Sequence, residues 1–248
     1  MESPLVKVYP EMQAGGFTRR DGTVQFYSRV NALIRPDFTV LDLGAGRGAW
    51  QDSPVDIHRS LCSLRGKVSR IIGADVDPVV LANSGLDEAV VIAANDVLPF
   101  DDSAFDLVLS DHTLEHIDEP RAFAAEIRRV VRPGGWFCAR TPYRWGSTGI
   151  ATNLIPNLFH AKMLHRLQPA REKQDVFPTR YRFNSLRIVS QAFADWSNCT
   201  YLHTPEPAYL AFSSWSLRLG QAIDLVLPGS VMHIFVQRPL HQRRRRGG

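Results

Sequence analysis

Val40-Leu41-Asp42-Leu43-Gly44-Ala45-Gly46-Arg47-Gly48 decides how the rest of the chain is read. An apolar strand runs straight into three glycines at alternate positions, and such a turn brings main-chain N–H groups against a nucleotide-like ligand. A Cβ at those positions would block both the tight turn and the approach of a ribose or amino-acid moiety. Taken alone, the loop fits two patterns: Gly44-x-Gly46-x-Gly48, and the looser dinucleotide fingerprint Gly44-x-Gly46-x-x-Ala49. Downstream, Ile71-Ile72-Gly73-Ala74-Asp75-Val76-Asp77 reads as a second short strand ending in a carboxylate, placed to accept hydrogen bonds from ribose hydroxyls. Dinucleotides and adenosyl compounds both carry that ribose, so two strands do not choose between them.

The next blocks do. Asn95-Asp96-Val97-Leu98-Pro99-Phe100-Asp101-Asp102-Ser103-Ala104-Phe105-Asp106 leads into the strand Leu107-Val108-Leu109-Ser110. Leu114-Glu115-His116 follows, then a helix closing on Val131-Arg132-Pro133-Gly134-Gly135, a turn that opens the strand Trp136-Phe137-Cys138-Ala139-Arg140. In this order, residues 40 to 141 resemble the class I S-adenosylmethionine-dependent methyltransferases, of the type 11 branch that includes quinone and small-molecule methylases. The resemblance implies an α/β fold: a Rossmann-like three-layer sandwich whose mostly parallel, seven-stranded sheet ends in an antiparallel strand, here Met232-His233-Ile234-Phe235-Val236.

The resemblance also implies S-adenosyl-L-methionine as cofactor and a set of residues to hold it. Gly44, Ala45, Gly46 and Gly48 would line its methionine and ribose moieties, with Asp42 ordering the loop. Asp75 and Val76 would serve the ribose, and Asp96 with Val97 the adenine. Asp75 and Asp96 can also be read as turn or cap carboxylates, because Asp favours such places for its backbone hydrogen bonds. Methyl transfer from a sulfonium is a direct displacement, so catalysis consists mostly of holding the reacting atoms in line. A hydroxyl or carbon-acid acceptor would need a base, and His112, at the carboxyl end of the Leu107–Ser110 strand, is the first candidate. His116, His160 and His165 rank below it. Two other readings stand beside this one: a non-catalytic relative that binds the cofactor, and a nicotinamide-dependent oxidoreductase. The second is disfavoured by the Leu98-Pro99-Phe100 block and the lack of an obvious Tyr-x-x-x-Lys pair.

Length and composition set the bounds. At 248 residues and 44% hydrophobic content, the chain suits one methyltransferase domain over 1–240. Within it are an N-terminal arm (1–35) and a substrate-recognition insertion (about 143–184) rich in basic and aromatic residues. The formal charge of +4 resides in Arg243-Arg244-Arg245-Arg246, since 25 basic and 25 acidic residues balance elsewhere. That tail, 241–248, reads as a solvated terminus. No nucleic-acid module or signal peptide is apparent, and Asp224, Pro228 and Gly229 interrupt the apolar stretch Leu219–Gln237, which excludes a transmembrane helix. Three cysteines without ligand spacing predict reduced thiols, no metal site and a cytoplasmic location.

Periodicity fills in the remaining elements. Phe26, Val30 and Leu33 predict a helix before the first strand, and Tyr27 or Arg29 could reach the cofactor carboxylate from it. Residues 52–67 are a longer insertion than the family usually carries. Pro78 permits a helix start over Val79–Leu81, and Pro120 opens a helix with Phe123, Ile127, Val130 and Val131 on its apolar face. Ser185 caps a further helix over Leu186–Trp196. Phe212, Trp215, Leu219, Ala222, Ile223 and Val226 predict a helix packed on its own domain; if exposed, that face would favour a lipid-linked acceptor.

Overall fold

A computed structural model describes residues 3–94, 97–146, 179–207 and 210–240. Its centre is β1 (Thr39–Leu43), flanked in parallel by β2 (Arg70–Asp75) and β4 (Phe105–Asp111). Outward lie β3 (Glu88–Val91) on one side and β5 (Val131–Pro142) on the other, both parallel to their neighbours. β8 (Val231–Gln237) pairs antiparallel with β5, and β6 (Ser197–Asn198) and β7 (Tyr201–His203) both pair antiparallel with β8. These eight segments fill seven strand positions. Asn198 opposes Val236 and Tyr201 opposes His233, so one register runs through both short strands, and Cys199 N–H donates to Phe235 O between them at 2.8 Å. The mostly parallel sheet with an antiparallel strand is the architecture the sequence predicts.

Alternation along the strands feeds two cores. On one face Val40, Ile71, Leu107, Leu109 and Phe235 pack with α2 (Gly22–Leu33) and α3 (Asp56–Cys62). On the other, Leu41, Ile72, Val108, Phe137 and Ile234 pack with α4 (Pro120–Val130) and α5 (Leu186–Ala192). In α4 it is Ala124, Ile127 and Val130 that are buried, while Arg128 and Arg129 point to Asp195 and Glu126. Val131 leaves this helix and begins β5, where it pairs with Phe105 before the register shifts and Gly134 turns at φ 82.

Local hydrogen bonding moves some boundaries. The helix predicted before β1 starts earlier, because Asp21 caps it by accepting from Val24 N–H at 2.9 Å. The other Asp21 carboxylate oxygen is 2.8 Å from His58 Nε2, which fastens the N-terminal arm to α3. Pro78 opens only a 3-10 turn, Pro78–Ala82. That turn stops at Asn83, whose side-chain amide is spent on Ala45 O and Gly46 O in the glycine loop.

The last helix corrects the sequence reading. α6 (Ser214–Val226) forms behind a Ser213–Ser216 capping box but does not bury the predicted apolar stripe. Phe212 and Trp215 are 70% and 74% exposed, and Leu219, Ile223 and Val226 are exposed with them. The packed side is the opposite one. Gly220 lets the helix approach Pro207 and Leu210, Leu217 is fully buried, and Asp224 pairs with Arg20 at 2.6 Å. Close approach of the smallest side chain, anchored by an ion pair, decides the orientation. α1 (Pro4–Val8) lies against this helix.

Candidate active site

The carboxyl ends of β1, β2, β4 and β5 meet along one edge, where open α/β sheets bind ligands. The glycine turn rises there from β1. Gly44, Gly46 and Gly48 have φ of 84, 50 and 74, a left-handed path that side chains with a Cβ resist. Each has a different neighbour. A Cβ on Gly44 would stand 2.0 Å from Thr113 Oγ1, and one on Gly48 would strike Gln51 and Asn83. Gly46 has no atom within 4 Å of that point, so the loop's middle faces open space.

Asp75 stands at the end of β2, as predicted. Its Oδ2 accepts from Gly46 N–H at 2.8 Å and its Oδ1 from Asp77 N–H at 2.9 Å. The hydrogen bond that orders the loop is thus made by Asp75, and Gly44 N–H donates to Ala74 O at 2.7 Å. Asp42 lies beneath them. Burial, with the nearby charges of Asp111 and Asp75, pushes its carboxyl up to about 7. Val76 is exposed beside Asp75, Ala45 packs against the Gly73 position, and Val97 is exposed. Asp96 lies outside the described residues, as do 147–178 of the predicted insertion and the 241–248 tail.

The other half of the edge carries charges that the sequence reading left unassigned. Asp111, the last residue of β4, stands opposite Arg140 near the end of β5. The guanidinium donates to both Asp111 oxygens at 2.7 Å and to Thr23 Oγ1 at 3.0 Å, and it lies over the Phe26 and Tyr27 rings. Tyr27 O–H donates to Asp111 at 3.2 Å, while Arg29 lies over Tyr201 and donates to its hydroxyl. Both therefore brace the N-terminal arm. Burial opposes ionisation of Asp111, but Arg140 and His112 outweigh it and hold the carboxyl below the ordinary value. A charged residue closing each of two apolar strands was the signal in the sequence.

His112 follows Asp111 with φ 54, an unusual backbone for a residue bearing a Cβ, and its N–H donates to Arg140 O at 2.8 Å. The side chain is 46% exposed, with Nδ1 3.5 Å from Glu115 Oε1. Next to it, Thr113 Oγ1 bonds Asp111 O at 3.3 Å. His112 and the loop thus follow the carboxyl ends of adjacent strands, β4 and β1.

These residues fit S-adenosylmethionine. The open space over Gly46 and the Asp75 carboxylate at the end of β2 suit a ligand with ribose hydroxyls.

Comparison with known proteins agrees. Residues 41–139 match the family described as methyltransferase domain. A ubiquinone/menaquinone biosynthesis C-methyltransferase from Cupriavidus taiwanensis is 27% identical over 135 residues, 52% of this chain and 51% of that protein. A probable S-adenosylmethionine-dependent methyltransferase from Mycolicibacterium smegmatis is 33% identical over 130 residues, 51% of this chain and 46% of its own. The chain spans about half the length of these curated relatives. Among solved structures, a chain from the complex of the Haloferax volcanii Trm112 methyltransferase activator with a methyltransferase superposes with a TM-score of 0.56 at 20% identity, covering 94% of this chain and 98% of that one. Geranyl diphosphate C-methyltransferase from Streptomyces coelicolor gives 0.54 at 15% identity, covering 88% and 79%. At those identities the likeness concerns the fold. The 41–139 segment, which carries the glycine turn and both sheet-edge acids, is thus a methyltransferase domain, similar in sequence to S-adenosylmethionine-dependent enzymes.

Proposed function

We propose that the protein transfers a methyl group from S-adenosylmethionine to a small-molecule, glycan or lipid-linked acceptor by direct displacement. The observation that carries this reading is the left-handed Gly44–Gly48 turn, tied to Asp75 through Gly46 N–H, with open space over Gly46. Gly44 to Gly48 hold the amino-acid and ribose portions, Asp75 and Val76 the ribose, and Asp96 and Val97 the adenine. When bound, the cofactor supplies an activated methyl carbon, so the protein's work is alignment and exclusion of water. His112, half-exposed just past the carboxyl end of β4, is the general base. Residues 1–240 act as one unit in this reading, in the cytoplasm; Cys62, Cys138 and Cys199 are all free thiols. Among the described residues no helix is long and apolar enough to cross a membrane.

Among the acceptor classes, the lipid-linked one has its own support in the exposed apolar side of α6, beside the N-terminal arm. Titration calorimetry of the full-length chain with S-adenosylhomocysteine, and with NAD as control, tests the core of the reading. Micromolar binding of the first alone is the expected result; binding of NAD alone would replace the reading with an oxidoreductase, and binding of neither with a non-catalytic relative.

A further inference from the structure

The geometry points to Glu115 as the residue that positions His112, and so to a methyl acceptor that gives up a proton, a hydroxyl or a carbon acid; the inference rests on the methyltransferase reading above. It starts from the direction of a buried hydrogen-bond chain. Asn184 Nδ2 donates to Thr141 Oγ1 and to Pro142 O, each at 2.7 Å. Thr141 Oγ1 is thereby an acceptor, and its one proton goes to Glu115 Oε2 at 2.9 Å. Asn184 and Thr141 are fully buried and Glu115 nearly so. A carboxylate fed at Oε2 by a hydroxyl has Oε1 left to accept, and that oxygen is the one beside His112 Nδ1. Burial works against the Glu115 charge, but the bonds from His112 and Thr141 hold its carboxyl below the usual value, so it stays an acceptor at neutral pH.

The main chain fixes the same residue. Glu115 O accepts from Arg180 N–H at 2.7 Å and Tyr181 N–H at 3.1 Å, so the 3-10 turn Leu114–His116 is clamped from outside. His112 is clamped by its own N–H to Arg140 O. With Nδ1–H directed at Glu115, Nε2 is the nitrogen with a free lone pair. Asp111 lies 3.9 Å from it, beyond hydrogen-bond reach, and both Asp111 oxygens are engaged by Arg140. Among the described residues, Asp111 and Glu115, with Arg140 behind Asp111, are the charged groups facing the imidazole.

A base held in one tautomer serves an acceptor that must lose a proton as it attacks. An amine attacks with a lone pair it already has. In the hydroxyl case the acceptor O–H bond breaks as its proton passes to His112 Nε2. The oxygen's electron pair forms the new O–C bond, and the pair of the breaking S–C bond remains on sulfur. The products are a methyl ether, S-adenosylhomocysteine and an imidazolium that returns its proton to water.

The test needs no acceptor. Long-range 15N–1H NMR at pH 8 reports the tautomer of His112, assigned by its loss in His112→Gln. The wild type is expected in the Nδ1–H form, reverting in Glu115→Leu to the Nε2–H form that free histidine favours. Should Glu115→Leu fail to fold, Glu115→Gln replaces the anion by a weaker neutral acceptor and is expected to reduce the Nδ1–H preference. A parallel calorimetric titration with S-adenosylhomocysteine keeps the two readings apart. Unchanged affinity with a changed tautomer is the expected pair. An Nε2–H wild type, or a tautomer indifferent to Glu115, overturns the positioning role even if the cofactor binds. Failure of the wild type to bind S-adenosylhomocysteine overturns the methyltransferase reading, and the assignment of a proton-losing acceptor with it.

Discussion

Polar contacts along the β1–β2 half of the sheet edge each have main chain of the glycine turn on one side: Gly44 N–H to Ala74 O, Gly46 N–H to Asp75, and Ala45 O and Gly46 O to Asn83. Along the β4–β5 half they are made largely by side chains: Arg140 to Asp111 and Thr23, and Thr141 to Glu115 and Asn184. A backbone-built region constrains which residues can be present, whereas a side-chain-built region constrains which residues must meet. The first depends on local chain path, the second on charges brought together by the sheet.

The largest way to break this contrast is Arg140→Leu, which strands the Asp111 charge under Tyr27. Loss of one partner of a buried ion pair costs about 3–5 kcal/mol, read as a fall in unfolding free energy by urea titration. A loss within 1 kcal/mol would show that the β4–β5 half does not depend on that pair.

Asp42 sharpens the comparison through pH. Its folded-state value of about 7 lies above the ordinary carboxylate value of about 3.9, so the folded protein binds the extra proton between those limits. Stability from this group is therefore greatest below about pH 4, falls as pH rises toward 7 and levels off above it. Asp42→Asn lacks that loss. Its unfolding free energy relative to wild type should rise between pH 4 and pH 8 by up to about 4 kcal/mol, from 1.36 kcal/mol per unit. A pH-independent difference would mean that Asp42 is ionised throughout.

Gly44 and Gly46 share a backbone region but not a neighbour. Gly44→Ala should lose roughly 3 kcal/mol of stability, combining a left-handed penalty of about 1–2 with overpacking against Thr113. Gly46→Ala should lose only about 1–2 kcal/mol, yet weaken S-adenosylhomocysteine binding, because its Cβ enters open space over the turn. Thermal melts and calorimetry on both variants separate packing from ligand contact. Equal stability losses and equal affinities would remove the distinction.

Asp75→Ala tests ligand contact at the same half of the edge. It removes a charged acceptor worth roughly 1.5–3 kcal/mol per hydrogen bond, seen as weaker S-adenosylhomocysteine binding in a folded variant. Unchanged affinity would leave Asp75 as a tether for Gly46 alone.

The contrast also explains what could be read from the chain. The glycine turn, Asp75 and the Pro120 helix are legible because φ > 0, a strand-end carboxylate and a proline at a first turn each leave a mark at one place in the sequence. The Arg140–Asp111 pair and the Asn184–Thr141–Glu115 chain join residues 29, 43 and 26 positions apart, and no local pattern ties them. α6 shows a different limit. Its apolar spacing defines a face, but Gly220 and Asp224 on the opposite side decide which way the helix turns.

The antiparallel strand has a consequence for the order in which the protein can be made. Among the described residues β6 and β7 pair with β8 alone, and β8 lies between them and β5. During synthesis the five strands from β3 to β5 can pair as soon as they emerge, while 197–203 waits for a strand translated some thirty residues later. Val231–Gln237 then enters a slot with two walls and closes both in one event. Until that moment the β5 edge, with Phe137 and Ala139, is an open pairing surface, so a nascent chain halted before residue 231 is the form of this protein most exposed to aggregation.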